Sequence, residues 1–230
     1  LRLRVHADDL GASRSVSRAI LEAYDLGQLD SASILTTGLD FPQAALESQN
    51  RPELPLALHL NLVEGKPLTS APLLMGKDGR FTGSASALLH SFLIQPSATR
   101  GAVYRELKAQ FDKFCENFPR RAPWVDSHLH LHVLPFVFSC VKKLCDEYGV
   151  TRVRLPQRLI FLDGLKSESR LVQFGKQHLL SFLSSRLRTN CSLTKCDILI
   201  TGVVSPEALD LTLKTLQRTC RNAEVEVLFH

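Results

Sequence analysis

Strand-length apolar runs alternate with helix-length amphipathic runs along this chain, and that alternation constrains its fold more than any other feature. Strands are expected at 1–7, 31–37, 54–62, 124–132, 150–155, 196–201 and 224–229. Helices are expected at 13–27, 42–49, 98–118, 135–148, 167–187 and 205–219. The first helix carries Val16, Ala19, Ile20, Ala23 and Tyr24 at helical spacing and stops at Gly27. In the helix at 98–118, Val103, Leu107, Phe111, Phe114 and Phe118 make one apolar face. Strands that alternate with helices form a mostly parallel sheet with helical covers. The expected architecture is an irregular (β/α) barrel of about seven mostly parallel strands with outer helices. An open doubly wound sheet is the alternative. Residues 63–97 are expected to be a long irregular stretch with one short helix near 84–93, the kind of loop that covers a site.

A chain of 230 residues suits a single domain, here 1–230. It opens directly in a strand-like run and stops after "EVEVLFH" with no cap, so the C-terminal end of the fold is expected to be missing. No apolar run approaches ~18 residues, which argues against a membrane span. Six cysteines include no CxxC pair, which fits reduced thiols and a cytoplasmic protein. The net charge of +5 is scattered in short pieces such as "RLR" and "RVR", without interleaved aromatics. An ordinary basic surface is therefore expected rather than a nucleic-acid partner, and a homodimer is compatible with everything above.

In parallel β/α folds chemistry collects at the carboxyl ends of the strands. The first expected strand ends in Asp8-Asp9, the third holds His59 inside Leu58-His59-Leu60, the fourth holds Asp126 and His128, and the last ends at His230. Singly, each has a plainer reading. A histidine in an apolar strand is most often a core residue, two aspartates before a glycine are most often a turn, and "HLHLH" can be one polar face of a strand. Together they place Asp or His at the same rim of four strands. An aspartate and two histidines also make a first shell for a hydrolytic divalent cation, leaving a position open.

The segments that carry these residues resemble the YdjC-like carbohydrate deacetylases. "HADDLGASRSVSRAILEAYDLGQLDSASILTTG" is similar to that family's opening Asp-Asp-Phe-Gly motif, "LALHLNLVEGKPL" to its second motif, and "VDSHLHLHVLP" to its third; "YGVTRVRLP" also fits. The resemblance implies metal-dependent removal of acetyl groups from N-acetylated sugars. It implies Asp9, His59 and His128 as metal ligands, Asp8 as the base and His230 as the acid. His130, His132, Lys66 and Arg154 are then expected to contact the acetylated sugar. The ligand set suits Zn²⁺ by softness, whereas the family is commonly described with Mg²⁺. Two departures stand out: Leu10 replaces the usual Phe, and His6 stands where a small polar residue is common. The rival readings are a metal-dependent hydrolase of another amide or a phosphoester, and a sugar-binding relative without catalysis.

Overall fold

The computed structural model describes residues 1–119, 124–161, 170–189, 197–201, 205–220 and 222–229. Among the described residues there are seven strands: β1 (Arg2–Leu10), β2 (Ser31–Ile34), β3 (Leu56–Leu60), β4 (Val125–Ser127), β5 (Arg158–Phe161), β6 (Ile198–Thr201) and β7 (Glu224–Phe229). The α-helices are α1 (Arg14–Asp25), α2 (Phe41–Gln49), α3 (Ala85–Ile94), α4 (Pro96–Asn117), α5 (Pro135–Tyr148), α6 (Arg170–Thr189) and α7 (Pro206–Thr219). The strands form one curled sheet in the order β4-β3-β2-β1-β7-β6-β5, parallel throughout. This is the barrel-like α/β architecture that the alternation predicts.

Local chemistry explains the helices. The Ser13 hydroxyl accepts from the Val16 amide to cap α1, and α5 starts at Pro135 and ends at Gly149 in the left-handed conformation. On α4, Val103, Leu107, Phe111 and Phe114 are fully buried and share one apolar cluster with Leu56, Leu58 and Leu60 of β3. Each such side chain contributes about 1.5–3 kcal/mol through burial.

Along β1 to β4 the opposite face of the sheet is polar. Cα partners in register put His6 beside Ser31 and His59 beside Asp126, and alternation puts Asp8 and Ser33 on that same face. All six side chains are buried. The fold therefore seals a polar layer beneath the carboxyl ends of β1 to β4.

Two expectations change. The strand expected at 150–155 is reduced to an isolated bridge between Val153 and Val125, and the fifth strand lies at Arg158–Phe161. Pro156 has no N–H to continue a ladder, so the chain changes partners there. Val125 donates to the Arg152 carbonyl and Arg154 to the Val125 carbonyl, whereas Gln157 and Arg158 donate to Asp197 ahead of β6. One short stretch of backbone thus joins the two edge strands of the curled sheet. The fourth strand, expected over 124–132, stops at Ser127, and His128–Val133 form 3-10 turns.

The stretch at 63–97 is more ordered than expected. It contains a 3-10 turn at Pro72–Leu74, all of α3 and the first residues of α4. Glu106 of α4, fully buried, accepts from the Leu68 and Thr69 amides and from the Thr69 hydroxyl at 3.0, 2.9 and 2.6 Å, pinning the segment after β3. Among the described residues no helix is long and apolar enough to cross a membrane.

Candidate metal centre at the strand ends

β1 carries a bulge. Its register against β2 runs Ala7 to Ala32 and then Leu10 to Ile34, so β1 has one extra residue there. Asp9 takes that position with φ +66°, a left-handed conformation that costs a non-glycine residue free energy. The bulge lets the adjacent aspartates do different things, which an extended strand would do only by sending them to opposite faces. Tight turns behind it hold the bulge. A Cβ on Gly38 would lie 2.1 Å from the Gly11 carbonyl oxygen, and Asp40 donates to that oxygen at 2.9 Å.

Asp9, His59 and His128 each present a ligand atom within 4.8 Å of the others, a group that could hold a metal ion. Asp9 Oδ1 is 3.3 Å from His59 Nε2 and 3.1 Å from His128 Nδ1. His59 is buried, and its Nε2 forms no hydrogen bond. Burial alone would lower its pKa. Asp126 and Asp8 outweigh that and push it up to about 10. His128 also moves up, because Asp9 overcomes the desolvation of its ring. Asp9 falls below the usual carboxylate range: burial opposes this, and the neighbouring His128 and His59 rings prevail.

Beneath this group lies a buried network. Asp126 Oδ1 accepts from His59 Nδ1 at 2.7 Å, so the Nε2 face of the ring is left for the cluster above. Arg154, 2% exposed, places Nη1 at 3.0 and 3.1 Å from the two Asp8 oxygens, Nη2 at 2.8 Å from Asp126 Oδ2 and Nε at 2.6 Å from Glu226 Oε1. Ser33 donates to Asp8 Oδ1 at 3.0 Å. Against the penalty of burial, the guanidinium holds both Asp8 and Asp126 below the usual carboxylate range. Three buried acids thus meet one buried guanidinium, and Arg152 Nη2 lies 3.5 Å from Glu226 Oε2.

The remaining expected site residues are spread out. Asp8 lies in the buried network and not among the Asp9 group. Arg154 is buried in the same network instead of facing an open cleft. His132 donates from Nε2 to the Arg154 carbonyl and pairs through Nδ1 with Ser127, each at 2.6 Å; burial lowers its pKa to about 4. His130 is buried, edge-on to His132 at 6.5 Å, with φ +55°. Lys66 is exposed on the loop after β3. His230 lies outside the described residues. Glu64, singled out by nothing in the sequence, places Oε1 3.3 Å from His128 Nε2. Ser33, Arg154's role and Glu226 were also missed as supports. The available signal was a polar residue at every second position of otherwise apolar strands, as in "EVEVLF".

The chain is similar to several known proteins. A family model described as "YdjC-like protein" matches residues 2–230. "Carbohydrate deacetylase 2" of Listeria innocua is 34% identical over 158 residues, covering 65% of this chain and 59% of that protein. "Chitooligosaccharide deacetylase" of Escherichia fergusonii is 32% identical over 167 residues, covering 70% of this chain and 62% of that protein. This chain therefore spans about six-tenths of the length of the curated relatives it matches. A crystal structure from Enterococcus faecalis V583, provisionally described as a cellobiose-phosphate cleavage protein, superposes with a TM-score of 0.72. At 22% identity, over 100% of this chain and 80% of that one, it shares the fold.

Proposed function

We propose that this chain, which belongs to the YdjC-like protein family, carries the hydrolytic site of a metal-dependent carbohydrate N-deacetylase. The observation that carries the reading is the convergence of Asp9, His59 and His128 above the buried Asp8–Arg154–Asp126 layer. His59 supports it most directly, as a buried imidazole whose Nε2 lacks a hydrogen bond and whose surroundings favour positive charge. The names of the relatives in Listeria and Escherichia support an acetylated carbohydrate as the substrate.

In this reading Asp9, His59 and His128 hold one divalent cation, and two imidazole nitrogens with one carboxylate favour Zn²⁺ over Mg²⁺ in affinity. Such an ion supplies charge that polarises a carbonyl and acidifies water. Asp8, kept ionised by Arg154, accepts the proton of the water that attacks the acetamide carbon. His230, which follows the Phe229 that pairs with Ala7, gives a proton to the amine as the carbon–nitrogen bond breaks. Acetate and an amino sugar result. Lys66 and His130 are proposed to contact the sugar. Cys115, Cys140, Cys145 and Cys220 form no disulfide, which supports a reducing, cytoplasmic setting.

The test is acetate release from N-acetylated mono- and oligosaccharides by the full-length protein, with Zn²⁺, Mg²⁺ and chelator compared. Acetate formed with metal and abolished by chelator is expected. Metal bound with no turnover of any acetylated sugar would overturn catalysis and leave a binding protein.

A further inference from the structure

His6 has no place in the mechanism above, yet it is fully buried at its centre. Its Nδ1 is fixed by the Ser31 hydroxyl at 2.7 Å, and its ring stands edge-on to Trp124 with centroids 5.1 Å apart. Those two contacts leave the imidazole no free rotation. Its Nε2 then points between two carboxylates, 3.2 Å from Asp8 Oδ1 and 3.6 Å from Asp126 Oδ2, without a well-formed hydrogen bond to either. Arg154 reaches the same pair, with Nη1 on Asp8 and Nη2 on Asp126. Two buried like charges repel and stay close only when something holds each in place. Arg154 supplies the charge, and its planar fork defines the separation of the two groups. A fork alone leaves each carboxylate free to turn about its own Cβ–Cγ bond. His6 and Ser33 meet Asp8 Oδ1 in addition, and His59 meets Asp126 Oδ1.

We infer that His6 is a positioning residue that, with Arg154, sets the orientation of Asp8 and Asp126 together. One of these is the proposed proton acceptor and the other orients the ligand His59, so the inference rests on the proposed deacetylase reading for its effect on rate. Its geometric part stands apart from that reading.

The test compares wild type with His6→Ala and His6→Gln, the latter keeping a donor near the Nε2 position. In the Zn²⁺-loaded protein, His6→Ala is expected to lower kcat about 10²-fold, the scale for a misplaced reacting group, with KM little changed. His6→Gln is expected to recover most of that loss. A purely structural His6 would lower the melting temperature while leaving kcat of the folded enzyme intact, and that result overturns the inference. Crystal structures of wild type and both variants provide the second readout. The Asp8 and Asp126 carboxylates should turn by more than about 20° in His6→Ala and return in His6→Gln. Carboxylates unmoved in folded His6→Ala overturn the inference whether or not any sugar is hydrolysed. Absence of turnover in wild type, with the carboxylates displaced in the variant, overturns the deacetylase reading alone. Should His6→Ala not fold, His6→Phe, which keeps a ring against Trp124 and removes the nitrogens, takes its place: a lowered kcat with turned carboxylates sustains the inference, and wild-type rate and carboxylate geometry in the folded variant sink it.

Discussion

His59 Nδ1 donates to Asp126 Oδ1 at 2.7 Å, with both groups shielded from water and Asp126 held in turn by Arg154. The bond keeps a proton on Nδ1 and turns Nε2 toward Asp9, so the orientation of the proposed ligand depends on a residue that is not itself one. Asp126→Asn weakens this acceptor and exchanges one carboxylate oxygen for a donor that opposes Arg154. Affinity for Zn²⁺ should fall by about 10–100-fold, measured by titration calorimetry. An unchanged affinity in a folded variant would show that His59 is oriented by other means.

Asp8 and Asp9 are adjacent but occupy different environments, one clamped by Arg154 and Ser33, the other beside His59 and His128. Asp9→Ala should lose the metal and the activity together. Asp8→Asn should retain the metal and lower kcat by about 10²–10⁴-fold, the scale of a lost general base. Elemental analysis beside acetate release separates the two. Loss of the ion from Asp8→Asn with retention in Asp9→Ala would reverse the assignments.

Glu106 ties the loop after β3 to α4 through three hydrogen bonds, and the same loop carries Glu64 and Lys66. Glu106→Ala should cost about 1–3 kcal/mol, because the Leu68 and Thr69 amides lose their acceptor. Freed from α4, the loop should also raise KM more than it lowers kcat. Denaturant melts and steady-state kinetics check the two parts, and an unchanged KM would remove the loop from substrate binding.

His132 titrates far below its ordinary value of 6.5, at about 4, because it is buried and neutral. The unfolded chain takes up this proton at higher pH than the folded chain does. The stabilisation from neutral His132 is therefore fully present above about pH 6.5 and is lost as pH falls toward 4, by up to about 3 kcal/mol. The stability gap between wild type and His132→Gln should narrow over that interval in urea melts. A gap independent of pH would mean that the histidine is not the titrating group.

Much of the site was legible because it is written in local pattern. Asp8, Asp9, His59, Asp126 and His128 were readable as polar residues at the ends of apolar strands, the choice of Asp9, His59 and His128 among them came from the family resemblance, and the α4 face was readable from Val103, Leu107, Phe111 and Phe114. The loop at 63–97 was recognised by length and composition, but its order was not. Glu106 looks like any acid on an amphipathic helix until α4 packs beside β3.

The chain by itself determined the alternation of strands and helices, the parallel sheet that this demands, and the rim to which Asp9, His59 and His128 belong. Periodicity carries that information because it records which side of each element is removed from water. Only the tertiary structure decided which buried polar groups meet. Arg154 reaches Asp8 across 146 residues and Glu226 across 72, contacts created by sheet order and by the change of partners at Pro156. The left-handed backbone of Asp9 was decided there too. A strained residue persists only where surrounding packing over-determines it, and that packing, from Gly11 to Gly38, comes from loops of different strands.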